Sequence, residues 1–142
     1  MEIENSLQEA SQYITLASVL GGFAFAAVVE LLVSDKKGKL ATAVIAMFST
    51  ASLMFLFSLL SYVLIYSALL VENPALDTLT RVGATALVII FIAVFLLLAS
   101  IGAAGWLHSK PVGIATTVAS VIFLCSTLIM IFTVIMAVPP AS

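Results

Sequence analysis

Charge is what this sequence has least of. Only 8% of its 142 residues are charged, five Lys or Arg against seven Asp or Glu, while 63% are hydrophobic. A soluble domain carries about a quarter charged residues. Too few charges are present to coat a water-facing surface, which excludes a soluble globular fold. A net charge of −2 leaves no basic footprint, so no nucleic-acid partner is expected. One cysteine, Cys125, excludes an intrachain disulfide. His108 is the single histidine and lies on another segment, and neither H-E-x-x-H, C-x-x-C nor a glycine-rich phosphate loop occurs. A membrane hydrolase needs a base and a nucleophile at depth. Residues 40–71, 82–107 and 112–138 hold no carboxylate, amine or imidazole, so an enzyme is not expected and no catalytic residue is assigned.

What the chain does have is long apolar runs. A membrane crossing takes roughly 20 apolar residues at 1.5 Å each, and four runs qualify, over residues 13–33, 40–66, 82–107 and 112–138. The charge-free stretch from Leu40 continues to Val71, more than one crossing requires, so its helix must tilt or protrude. The connections are the polar turn at residues 34–39, the segment 72–81 with Pro74, and the turn at 108–111, where Pro111 suits the first turn of the next helix. Barrel strands would be alternating segments of about ten residues, and these runs are continuous. The expected fold is an all-α membrane protein, one domain of four transmembrane helices per subunit, assembled as a homo-oligomer around the first helices.

The ends and the orientation follow from the few charges. Glu2, Glu4 and Glu9 and the lack of a basic start argue against a signal peptide. Ser6-Leu7-Gln8-Glu9 fits a capping box and predicts a first helix starting near Ser6. Lys36, Lys37, Lys39 and Lys110 share one side of the membrane, against Arg81 on the other, which by the positive-inside rule puts both termini outside. The expected location is the plasma membrane of a prokaryote. Tyr13, Tyr62 and Tyr66 suit one membrane interface and Trp106 the opposite one.

Glu30 is the one carboxylate inside a span. Intramembrane acids are costly and face a partner, a cavity or a pathway. At about 100° per residue, Gln12, Leu16, Val19, Phe23, Ala26 and Glu30 fall within about 40° of one line. Beside that line Ser18, Gly22 and Ala26 recur at spacing four, with Ala17 and Gly21 as a second small pair. Such spacing lets helix backbones approach closely in lipid. If several copies gather these helices around an axis, Glu30 forms a carboxylate ring, a device that selects cations. Phe23, Val19 and Leu16 then form an apolar section able to gate by dewetting. The plainer alternative is a glutamate that reaches the headgroups or pairs with Lys36 or Lys37.

The stretch Gly22-Phe23-Ala24-Phe25-Ala26-Ala27-Val28-Val29-Glu30 resembles the first-span motif G-F-A-x-x-A-x-V-E of the Orai family of calcium-release-activated calcium channels. Ile45-Ala46 with Phe48-Ser49 is similar to the family's second span in a looser way. The resemblance implies six subunits with their first helices around a pore, and Ca²⁺ as the permeant or bound ion. It also implies Glu30 as the filter and metal-binding residue, Phe23 and Val19 in the hydrophobic section, and Gly22 as a hinge. Three departures accompany it. Thr15 and Gln12 stand where the family has a basic pore section, Ala26 replaces a branched gate residue, and Ser58 falls at the position of a second-span histidine. The chain ends Pro139-Pro140-Ala141-Ser142, without the family's helical extension, so no cytosolic activating partner is expected. The family keeps both termini in the cytoplasm, opposite to the lysine count.

Two other readings compete with the Ca²⁺-permeable channel. One is a small proton-coupled cation transporter using Glu30, although Glu30 sits near the end of its span rather than at the midplane that alternating access uses. The other is an accessory membrane subunit without transport activity.

Overall fold

The structure is a computed structural model that describes residues 2–35, 37–70 and 76–137. Four helices make up the described chain: α1 (Glu2–Val33), α2 (Lys39–Leu69), α3 (Leu76–His108) and α4 (Lys110–Ala137). All four are long and apolar enough to cross a membrane, which marks an integral membrane protein. At 1.5 Å per residue the 31 residues of α2 reach about 46 Å, longer than the roughly 30 Å of a hydrocarbon core.

Two boundaries differ from the sequence expectation. The first helix begins at Glu2, which puts Ser6 and Glu9 inside it rather than at a capping box. No helix breaker lies between Glu2 and Ser6, and an acid at Glu4 interacts favourably with the positive end of the helix dipole. The second connection is shorter than residues 72–81, because α3 already starts at Leu76, with Asp77 in its first turn. Asp77, Thr78, Thr80 and Arg81 look loop-like only because they are polar; they form the first turns of α3, ahead of its charge-free run from Val82. Pro74, Lys36, Val138 and Pro139-Pro140 lie outside the described residues. Gly38 precedes α2 with φ of 136°, a conformation side-chain-bearing residues rarely adopt, and its carbonyl accepts the Thr42 N–H at 3.0 Å. Between α3 and α4 only Ser109 is non-helical, and Pro111 falls in the first turn of α4 as expected.

The chain divides into two compact units, Met1–Leu97 and Leu98–Ser142. In the first unit α1 packs along α2. The buried positions of α2 are Ala41, Val44, Phe48, Ala51, Phe55, Ser58, Tyr62, Ile65 and Leu69, with Ser61 beside them. Their steps of three and four repeat without interruption, the seam of a left-handed helix pair. Helix α1 answers with Ala10, Ala17 and Ala24, one per heptad, whose small side chains bring the two backbones close. Gly21 marks the tightest point, where its carbonyl accepts a hydrogen bond from Ser52 Oγ at 3.4 Å. Helix α3 is tied to α2 by polar contacts. The fully buried Ser58 donates to the Ala86 carbonyl at 3.2 Å, and the Tyr62 hydroxyl donates to the Gly83 carbonyl at 3.1 Å.

The second unit is an α-helical hairpin closed by glycines. A Cβ on Gly113 would lie 2.6 Å from the Trp106 ring, and one on Gly105 would strike Thr116. Trp106 Nε1 donates to Thr117 Oγ1 at 3.0 Å, and the Thr116 and Thr117 hydroxyls reach the Gly102 carbonyl at 3.3 and 3.4 Å. Elsewhere hydroxyls turn back on their own helix. Thr15, Ser18, Thr50, Ser67, Thr85, Thr127 and Thr133 each donate to the carbonyl four residues earlier. Among the described residues no buried side-chain nitrogen or oxygen lacks a partner.

Candidate functional site

The residues singled out in α1 share one property: the chain's own packing leaves them open. Gln12, Leu16, Val19, Gly22, Phe23, Ala26 and Glu30 are all exposed, with Val19 at 66% and Phe23 at 58%, whereas Ala17 and Ala24 are at 1% and 0%. On a helical projection the buried Ala10, Ala17, Ala24 and Val28 lie about 120–160° round from the Gln12–Glu30 line. One face of α1 thus packs within the first unit and the opposite face is exposed. The two small-residue patterns separate in the same way. Ala17 and Gly21 face α2, while Ser18, Gly22 and Ala26 lie on the exposed side.

Along the open face the chemistry is graded. The step from Gln12 to Glu30 covers 18 residues, about 27 Å of helix, close to the thickness of the hydrocarbon core. An amide near one end and a carboxylate near the other are thus separated by about the thickness of the lipid tails. Between them run Leu16, Val19 and Phe23, an apolar stretch of two turns. Glu30 occupies the last turn of α1, where its carbonyl accepts the Ser34 N–H at 3.1 Å. Of the two lysines able to pair with it, Lys36 lies outside the described residues and Lys37 is exposed. Among the described residues no three His, Cys, Asp or Glu side chains come together as a metal site. A single Glu30 offers one carboxylate, and a fuller cation shell from this residue type requires further copies.

Two positions behave differently from their sequence reading. Ser58, aligned with a family histidine, is a fully buried packing hydroxyl spent on α3. Tyr62, expected in an interfacial belt, is buried at 5% exposure and stacks on Tyr13, with ring centroids 4.8 Å apart and planes at 24°. Tyr66 is exposed. The residues that sequence reasoning missed are Glu9 and this tyrosine pair, which border a common cavity. The four-residue step from Glu9 to Tyr13 puts both on one helix face and was the signal available.

No family model, curated protein or solved structure matches the chain.

Proposed function

We propose that the chain is the subunit of a homo-oligomeric cation channel in which the open faces of α1 surround a central axis. Glu30 forms the ion-binding ring at one mouth, and Phe23, Val19 and Leu16 form the apolar gate beneath it. The observation that carries the reading is the division of α1: a carboxylate-terminated stripe with no packing role, set opposite a face committed to α2. A stripe meant for lipid gains nothing from an acid, since an ionisable group there is costly. Small residues Gly22 and Ala26 flank it and permit close approach of further helices. Ca²⁺ as the permeant ion, and six copies, rest on the resemblance of residues 22–30 to the Orai family. The ring would exchange part of the ion's water shell for carboxylate oxygens.

The test is cation flux into liposomes holding the purified protein, wild type against Glu30→Gln, with and without external Ca²⁺. Wild type is expected to pass Na⁺ when divalent ions are removed and to be blocked by Ca²⁺. Glu30→Gln is expected to weaken that block by roughly tenfold or more, the loss of a charged ligand from every subunit. Equal flux and equal block in the two proteins would remove Glu30 from the mechanism.

A further inference from the structure

At the end of the first unit away from Glu30 lies a cavity of about 280 Å³, framed by the start of α1, the end of α2 and the start of α3. Its walls are of two kinds. Ile65, Leu69, Leu79 and Leu87 supply aliphatic surface, and Glu9, Tyr13 and Tyr62 supply a carboxylate and two aromatic rings. The Tyr62 ring is held on both sides of its function, stacked on Tyr13 and anchored through its hydroxyl to the Gly83 carbonyl. Glu9 stands one helical turn before Tyr13, on the same face.

This combination selects a ligand class. A negative side chain at the rim disfavours anions. A single carboxylate among aliphatic walls is a poor shell for a metal ion, which takes several oxygen ligands. Each tyrosine covers one face of the other, and the aromatic surface left to the cavity, beside a carboxylate, suits a cation whose own surface is apolar, the chemistry by which quaternary ammonium groups are recognised. Ligand pockets run from about 300 Å³ upward, so this one admits only a small ligand.

We infer that the cavity binds a small alkylammonium, with Glu9 as counter-charge, the Tyr13–Tyr62 pair as the π surface and the leucines around the N-alkyl groups. Because the cavity lies where three helices end, the ammonium can belong to a free solute or to a choline lipid headgroup. Occupancy ties the first turns of α1 to α2 and α3. The inference stands independently of any role for Glu30.

The experiment is choline binding to the full chain in detergent, followed by calorimetry, with 3,3-dimethylbutan-1-ol as the uncharged isostere of the same shape. Saturable choline binding is expected, at least about tenfold tighter than the isostere, and weakened about tenfold by Glu9→Gln and by Tyr13→Leu. The isostere comparison uses the wild-type protein, so it holds whether or not a variant folds. Equal binding of choline and its isostere, or full choline affinity in a folded Glu9→Gln protein, would overturn the inference. Repeating the titration in nanodiscs of phosphatidylglycerol, with and without phosphatidylcholine, separates the sources. Loss of choline binding in the mixed discs assigns the site to the headgroup, and unchanged binding assigns it to a free ammonium.

Discussion

A Cβ placed on Gly21 would meet the Cβ of Phe55 at 3.0 Å, whereas one placed on the next residue, Gly22, would meet nothing within 4 Å. The two glycines are chemically identical and adjacent, yet one is a point of helix contact and the other faces outward. The same division runs the length of α1, alanines at 10, 17 and 24 on the packed side and Ser18, Gly22 and Ala26 on the open one. Small residues therefore mark both faces, and within the first unit the packed one finds its partner in α2. In lipid no hydrophobic force separates a helix face that touches protein from one that touches acyl chains, and close packing takes that role. An open face with the composition of a packed one, ended by a carboxylate, is the physical basis for placing further copies of the chain against it.

The contrast can be broken most directly at Gly21. Gly21→Leu should force α1 away from α2 and lower stability by about 3 kcal/mol or more, while Gly21→Ala sets a Cβ 3.0 Å from that of Phe55 against about 1 kcal/mol of helix propensity and should change stability far less. Thermal unfolding in detergent reads both. Gly22→Leu sets a Cβ that meets nothing within 4 Å and should leave the unfolding of the chain unchanged or raise its stability by up to about 1 kcal/mol through helix propensity, while, under the proposed assembly, chemical cross-linking should lose its higher species. Equal destabilisation by the two leucines would show that α1 has no privileged face. A small effect is expected away from both glycines. Ser58→Ala removes the hydrogen bond to the Ala86 carbonyl and should cost about 0.6–1 kcal/mol, a modest loss because Tyr62 keeps its own tie from α2 to the Gly83 carbonyl of α3.

The four helices were legible because charge breaks the apolar runs. Asp35, Lys37 and Lys39 mark the end of α1 and the start of α2, and Lys110 marks α4. The start of α3 was misplaced because a helix can run on past its apolar stretch, and polar residues such as Thr80 and Arg81 fall within α3. Which side of each helix is buried was much harder to read. Phe55 and Phe57 are both apolar, but Phe55 is at 0% exposure and Phe57 at 55%. In a membrane both faces are apolar, so the contrast that orients a helix in a soluble protein is missing. The Glu30 stripe was legible since it contains the rare polar residues Gln12 and Glu30. The cavity was not, since Tyr13 and Tyr62 lie 49 positions apart in the sequence and only the pairing of α1 with α2 unites them.

The hydroxyls that fold back onto their own helices bear on how such a chain is made. Thr15, Ser18, Thr50, Thr85 and Thr127 find acceptors one turn earlier, within the same segment. None of them waits for a neighbouring helix to be satisfied. Each segment can thus leave water with these hydrogen bonds already closed, and lateral assembly is left to a later stage. The hydroxyls that reach across, Ser52 to the Gly21 carbonyl, Ser58 and Tyr62 to α3, and Thr117 to the Gly102 carbonyl, belong to that second stage. Biogenesis is thereby divided into an entry step governed by single helices and a sorting step governed by a few glycines and serines.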